Sequence, residues 1–177
     1  MNQELWAGET DETPPEHRKK QCYGTPPNIK AAAEAYIWGG PLEDWHDAKL
    51  FDPCPWNPTQ DGLEINWGRH VFLNPPYGKK MPQKWVDKAI EEFESGRTDV
   101  IIWLVNYANS RACSEIARRS CGFIHITGGR VSFIDPVTKR PRTSNDRDSA
   151  LYIWDRDGLD VRSARVFSEL GEIFEKK

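Results

Sequence analysis

Residues 69–78 read Arg-His-Val-Phe-Leu-Asn-Pro-Pro-Tyr-Gly and decide the fold of the chain. The apolar run at 71–73 predicts a short buried strand. Two consecutive prolines end that strand, because neither has a backbone N–H for the hydrogen-bond ladder of a sheet. We therefore expect a rigid corner, Asn74 to Tyr77, at the carboxyl end of a strand, which is where open α/β sheets bind ligands.

The corner suits chemistry on an aromatic amine, whose lone pair is delocalised into its ring. The Asn74 side-chain amide and the Pro75 carbonyl offer two acceptors, which can hold the two amine hydrogens and free the lone pair for attack. The Tyr77 ring can stack on a base. An ordinary turn is the competing interpretation, since Asn and Pro both favour turns, and the rest of the chain has to decide between the two.

Composition and charge limit the class of protein. The chain has 177 residues and a net charge of −3, which fits one domain and excludes a globally basic nucleic-acid binder, though not a local basic face. Residues 1–22 predict a polar arm before a single domain at 23–177. No signal peptide or membrane-length apolar run is present, so we expect a cytoplasmic protein. We expect no metal, because no metal-ligand spacing occurs among the cysteines, Cys22, Cys54, Cys113 and Cys121.

Helices and strands alternate along the chain. One helix is predicted to begin at Pro26, after a Thr25 cap, and to end before Gly39. Other helices are predicted over 82–95, 110–119 and 163–175, and strands over 49–51, 71–73, 99–105, 122–126 and 149–154. This order predicts an α/β fold with a mainly parallel sheet of about five strands and helices on both faces. Polar residues at the strand tips predict a crevice at one sheet edge, namely Asp52, Asn74, Asn106 and Asn109.

Several islands resemble the phage-type DNA N6-adenine methyltransferases, a Dam-like family. The run 71–78 matches the family's catalytic motif in its Asn form. The other islands are Tyr23-Gly24-Thr25-Pro26-Pro27, Leu50-Phe51-Asp52-Pro53-Cys54-Pro55, Trp85-Val86-x-Lys88-Ala89, Gly129-Arg130-Val131-x-Phe133 and Ser149-Ala150-Leu151. The resemblance implies a reduced Rossmann-like methyltransferase fold in a phage- or prophage-encoded protein of a bacterial cell.

The resemblance also implies an activity, site-specific transfer of a methyl group from S-adenosyl-L-methionine to the N6 amine of an adenine in double-stranded DNA. It assigns catalysis to Asn74, Pro75, Pro76 and Tyr77, with Tyr77 stacking on a base flipped out of the duplex. It assigns the cofactor's methionine end to Asp52 and Pro53, together with Thr25, Pro26 and Asn74. It implies neither a metal nor an obligatory protein partner.

Contacts to DNA are expected from basic residues outside the corner. The first candidate is the polar loop 135–148, which contains Lys139, Arg140, Arg142 and Arg147. A solvated hairpin is the other interpretation of that loop, because basic surface runs are common. Lys79 and Lys80 are further phosphate candidates, and Arg130 fits DNA contact, cofactor contact or bracing of the sheet equally well.

The chain departs from the family pattern in three places, and the first two concern the cofactor half of the site. Pro53-Cys54-Pro55 replaces a glycine-rich loop after Asp52. Asn74 follows Asp52 by only 22 positions, too few for the strand–helix units of a full methyltransferase sheet. The acid for the cofactor ribose therefore has only weak candidates, Asp61 and Glu64. Tyr107 stands where the family often has an arginine.

Two alternative functions stay open at this point. A related enzyme would act on another amino nitrogen, such as cytosine N4, an RNA base or a protein amide. A non-catalytic nucleic-acid or cofactor-binding module of the same fold would have lost turnover. The intact run Asn74 to Tyr77 disfavours this binding module, but the missing glycine loop keeps it open as an alternative.

Overall fold

A computed structural model describes residues 24–38, 50–54, 61–75, 81–106, 111–135, 138–142 and 148–176. Helices and strands alternate over most of this part of the chain. The helices are α1 (Pro27–Trp38), α2 (Met81–Glu94), α3 (Arg111–Arg119) and α4 (Val161–Ala164), and the strands are β1 (His70–Leu73), β2 (Val100–Asn106), β3 (Gly122–Ile126), β4 (Ser149–Asp155) and β5 (Gly171–Glu175). The α/β class is thus confirmed, and the bounds of β1 to β4 and of α1 to α3 lie within one residue of those predicted.

The strands form one five-stranded sheet in the order β1-β2-β4-β3-β5. Only β1 and β2 pair in parallel; β4 is antiparallel to both β2 and β3, and β5 is antiparallel to β3. The prediction of a mainly parallel sheet is therefore wrong. A parallel pair needs a long crossover, usually a helix, and the described residues between β3 and β4 form no helix but turn back, so β4 runs antiparallel to β3.

Both faces of the sheet are covered by helices, as predicted. Alternate strand residues point to opposite faces, so β2 places Ile102 and Leu104 on one side and Ile101, Trp103 and Val105 on the other. The first face packs against α1 and the segment 161–167, and the second packs against α2 and α3. Burial on both sides explains why β2 is a continuous apolar run.

The C-terminal segment differs from the predicted helix over 163–175. It forms the short helix α4, a 3-10 turn at Arg165–Phe167 and the edge strand β5. Phe167 is buried against the Tyr36 ring, with the ring centroids 5.7 Å apart, whereas Phe174 is 41% exposed. A Cβ on Gly171 would lie 1.8 Å from the His125 carbonyl oxygen, so β5 approaches β3 at a distance that only glycine permits.

An ion cluster anchors α2 to the loop before β1. The Glu92 side chain is fully buried and pairs with Lys88 Nζ at 2.6 Å and with Arg97 Nε at 2.7 Å. Its Oε2 also accepts the Trp67 backbone N–H at 3.2 Å. Burial raises the pKa of the Glu92 carboxyl, but the hydrogen bonds from Arg97, Lys88 and Trp67 outweigh it, so that the net pKa is lowered and the group stays ionised.

Glu92→Ala is expected to lower the free energy of unfolding by about 3 kcal/mol, because it removes the buried partner of Lys88 and Arg97 and leaves these cations only the exposed Glu91. Glu94→Ala is the matched control on the same helix, since Glu94 pairs with Arg119 at 2.7 Å but its side chain is 59% exposed. The control should cost less than about 1 kcal/mol. Chemical denaturation measures both, and equal losses would contradict a special role for Glu92.

Candidate active site

Three polar residues lie at the carboxyl ends of strand segments that run in the same direction. Phe51 forms an isolated parallel bridge with Val71, in which its N–H bonds to the His70 carbonyl at 3.0 Å. Because β1 and β2 are also parallel, the carboxyl ends of all three segments meet at one edge of the sheet. That edge carries Asp52, Asn74 and Asn106, as the strand tips predicted. Antiparallel β4 begins at the same edge, where the Ser149 hydroxyl donates to Asn106 Oδ1 at 3.0 Å.

Asn74 is oriented by a residue far away in the sequence. Its side-chain Nδ2 donates to the Thr25 hydroxyl oxygen at 3.1 Å. Helix α1 begins at Pro27, one residue later than predicted, and the Pro26 carbonyl accepts the N–H groups of its first turn. With the amide nitrogen directed at Thr25, the amide oxygen is the atom of Asn74 that faces other partners. Pro75 beside it is buried.

Asp52 is a partly buried carboxylate at the neighbouring strand tip. Its Oδ1 accepts the Cys54 backbone N–H at 3.0 Å, a local turn typical of Asp before Pro. Burial raises the pKa of Asp52 above its ordinary value, and the nearby Lys30 ammonium and the Cys54 N–H offset this only partly. Lys30, on α1, therefore supplies a positive charge at this tip that the sequence reasoning missed.

The short connection between Asp52 and Asn74 folds back on the Asp52 tip. A Cβ on Gly62 would lie 1.8 Å from the Pro53 carbonyl oxygen, so these two backbones are in direct contact. Asp61 Oδ1 accepts the Leu63 N–H at 3.0 Å, and both Asp61 and Glu64 are exposed. The sequence reasoning missed the Gly62 contact, although Asp-Gly is a recognisable turn signal.

The basic loop is tied to the same edge. Ile134 forms antiparallel bridges with both Gly24 and Pro141, and the Gly24 N–H donates to the Ile134 carbonyl at 2.9 Å. The base of this hairpin, where Ile134 pairs with Pro141, therefore lies next to Gly24, the residue before Thr25. The Arg142 N–H closes the hairpin on the Phe133 carbonyl at 2.8 Å. The described basic side chains of this region are all exposed: Arg130, Lys139, Arg140 and Arg142.

Part of the predicted site lies outside the described residues. These positions are Pro76, Tyr77, Lys79, Lys80, Tyr107, Asn109 and Arg147, so their predicted roles stay predictions. The structure brings together Thr25, Asn74 and the base of the basic loop. It places Asp52 on the strand segment next to β1.

A cavity of about 550 Å³ lies at the opposite edge of the sheet, between the amino ends of β1 and β2 and the end of β4. Three of its acidic side chains are engaged within the fold. Asp155 Oδ2 accepts the Tyr36 hydroxyl at 2.9 Å, and Asp99 pairs with Arg69 at 2.6 Å. Asp160 accepts the Arg162 N–H as the cap of α4. The polar strand tips, not this cavity, therefore form the candidate site.

Two further observations concern metals and membranes. Within the described ranges, no group of three or more His, Cys, Asp or Glu side chains is arranged to hold a metal ion. Among the helices described above, none has the length and apolar character needed to cross a bilayer.

Comparisons with known proteins point to one family. Residues 51–168, about two thirds of the chain, match the family model described as DNA N-6-adenine-methyltransferase (Dam). The DNA N-6-adenine-methyltransferase of Haemophilus phage HP1 (strain HP1c1) is 25% identical over 99 residues, which are 55% of this chain and 56% of that protein. The chain thus spans just over half the length of this curated relative. No solved structure matches the chain significantly.

Proposed function

Since the chain belongs to the Dam family of DNA N-6-adenine-methyltransferases, we propose that it transfers a methyl group from S-adenosyl-L-methionine to the N6 amine of adenine in double-stranded DNA. The observation that carries the proposal is the Asn74 side chain, held by Thr25 at the carboxyl end of β1. The phage origin of the relative supports action on DNA within a bacterial cell.

Asn74 would act on the amine through its side-chain oxygen. With Nδ2 directed at Thr25, Oδ1 accepts one amine hydrogen and the Pro75 carbonyl accepts the other. The amine nitrogen would then attack the methyl carbon with its lone pair, the electron pair of the carbon–sulfur bond would pass to sulfur, and the extra proton of the methylated amine would pass to solvent. Tyr77, which follows in sequence, would stack on the flipped base, and Pro76 would hold the corner rigid.

The cofactor half of the site fits the charges of a methionine group. When bound, S-adenosyl-L-methionine supplies the methyl group on a sulfonium. Asp52 presents a carboxylate for an ammonium group, and Lys30 presents an ammonium for a carboxylate, and these two side chains interact electrostatically. We assign the methionine end to Asp52, Pro53 and Lys30, bordered by Thr25, Pro26 and Asn74. The exposed Asp61 and Glu64 would be the candidate acids for the cofactor ribose.

DNA would bind across the edge where the hairpin base meets Gly24. Arg130 follows β3, which runs in the same direction as β1 and β2, so this arginine lies at the same edge as Asn74. Lys139, Arg140 and Arg142 project from the hairpin, and exposed cations of this kind suit phosphate contacts. Lys79, Lys80 and Arg147 complete the proposed phosphate-binding set.

A labelling experiment tests the proposed reaction. The protein is incubated with methyl-labelled S-adenosylmethionine and duplex DNA of mixed sequence, and the DNA is digested to nucleosides. Label in N6-methyladenine supports the proposal. Label in N4-methylcytosine, or only in added RNA, would move the function to another amino acceptor. Cofactor binding without transfer would make the chain a binding module.

Thr25→Val tests the orientation of Asn74. Valine has nearly the shape of threonine but cannot accept the Asn74 amide hydrogen, so the amide loses the hydrogen bond to Thr25 that orients it. We expect kcat at saturating S-adenosylmethionine to fall about tenfold or more. Thr25→Ser keeps the hydroxyl and should stay near wild type. Equal activity of the two variants would contradict the orienting role.

A further inference from the structure

The strand tip that carries Asp52 packs directly against the backbone of Gly62. A side chain at position 62 would collide with the Pro53 carbonyl oxygen, since even a Cβ would lie 1.8 Å from it. Gly62 is itself buried. This contact therefore requires glycine, and it fixes the backbone of the residue that directly follows Asp52.

Trp67 holds Gly62 in place. The Trp67 indole N–H donates to the Gly62 carbonyl at 2.7 Å, and the Trp67 side chain is almost fully buried. Its ring stacks on Trp85 of α2, with the ring centroids 6.2 Å apart. Its backbone N–H donates to Glu92 Oε2 at 3.2 Å. A continuous set of contacts thus leads from the buried ion cluster of α2, through Trp67 and Gly62, to Pro53.

We propose that Gly62 and Trp67 are positioning residues for the cofactor, which hold the Asp52–Pro53 tip in the shape that binds its methionine end. The inference rests on the proposed function, because it assumes that this tip binds S-adenosylmethionine. It accounts for the unusual sequence here: Pro53-Cys54-Pro55 follows Asp52 in place of a glycine-rich loop, so the support comes from the later segment 61–67.

A pre-ordered tip lowers the entropic cost of binding rather than the barrier to methyl transfer. Weakening the Trp67 support should therefore raise the Kd and the KM for S-adenosylmethionine and leave kcat at saturating cofactor nearly unchanged. If Trp67 had only a structural role, weakening its contacts would lower the thermal stability without raising KM selectively over kcat.

Trp67→Phe and Trp85→Phe form a matched pair. Both indoles are buried in one stack, but only the Trp67 N–H bonds to Gly62; within the described part of the chain, the Trp85 indole N–H has no hydrogen-bond partner. Trp67→Phe should raise the calorimetric Kd for S-adenosylmethionine about fivefold to twentyfold, since it leaves the Gly62 carbonyl unpaired. Trp85→Phe should leave this Kd within about twofold of wild type, because it removes no hydrogen bond.

Gly62→Ala is the second variant, and it should weaken cofactor binding at least as much as Trp67→Phe. Equal Kd values for Trp67→Phe and Trp85→Phe, with Gly62→Ala binding like wild type, would overturn the inference while the proposed function stands. Wild-type protein that binds no S-adenosylmethionine would overturn the proposed function itself. If Trp67→Phe is poorly folded, Gly62→Ala alone decides through its Kd and its ratio of KM to kcat.

Discussion

Asn74→Ala is expected to reduce methyl transfer by about 10²–10³-fold, the usual loss when a polar group aimed at the reacting atoms is removed. Its side chain is fixed by Thr25 at 3.1 Å and lies at the edge where the strand tips meet. Alanine removes the acceptor for the amine hydrogen but leaves the Asp52 tip intact. Turnover should fall while the affinity for S-adenosylmethionine is largely retained.

Initial rates with labelled cofactor and calorimetric titration measure the two properties separately. Asn106→Ala is a suitable comparison, because Asn106 lies at the same edge but forms its hydrogen bond with the Ser149 hydroxyl and not with Thr25. It should keep most of the activity. An Asn74→Ala protein that methylates DNA at near wild-type rates would show that the corner is a turn and not the catalytic centre.

Asp52→Asn is expected to have the second largest effect and to act on cofactor binding. Asparagine keeps the shape of Asp52 but lacks the charge that would pair with the cofactor's ammonium. Loss of one partner of a buried charge pair typically costs about 2–5 kcal/mol, so the Kd for S-adenosylmethionine should rise about thirtyfold or more. Asp87→Asn, on the exposed side of α2, serves as control and should bind the cofactor normally.

The same substitution should stabilise the fold at neutral pH. Burial raises the pKa of folded Asp52 above its ordinary value. In the unfolded protein the pKa of an Asp side chain is about 3.9. When the pKa is higher in the folded protein, the fold becomes less stable as the pH rises from the unfolded value through the folded value. Asp52→Asn removes this penalty, so its Tm should exceed that of wild type at pH 7, and the gain should shrink toward pH 4. An unchanged Tm difference across this range would contradict the assignment.

The sequence predicted the parts of the fold that depend on local pattern. The run 100–105 is apolar throughout because both of its faces are covered. In the helices before and after it, the spacing of the apolar residues indicates which face is buried. The end of β1 at Leu73 was predicted because proline cannot continue the hydrogen-bond ladder of a sheet. The position of Asp52 at a strand tip was predicted for a similar reason, because Asp52 follows a short apolar run and precedes a proline.

Other features depend on contacts between distant segments and were not predicted. Strand direction does not show in an apolar run, so β4 was predicted as a strand but its antiparallel direction was not. The edge strand β5 was missed because residues 163–175 were predicted to form a helix. Gly171 interrupts the helical pattern near the C-terminus, but its close approach to His125 is visible only in three dimensions. The bond from Asn74 to Thr25 joins residues 49 positions apart. The contact of Gly62 with Pro53 likewise has no local pattern beyond a turn.

The most direct test of the central claim is the nucleoside content of DNA from cells that lack endogenous adenine methylation and express this chain. Chromatography with mass spectrometry quantifies N6-methyladenine in DNA from cells with the wild-type protein and with Asn74→Ala, expressed at equal levels. We predict N6-methyladenine with the wild type and none above background with Asn74→Ala. Equal amounts in both, or N4-methylcytosine in its place, would contradict adenine methylation at the Asn74 corner.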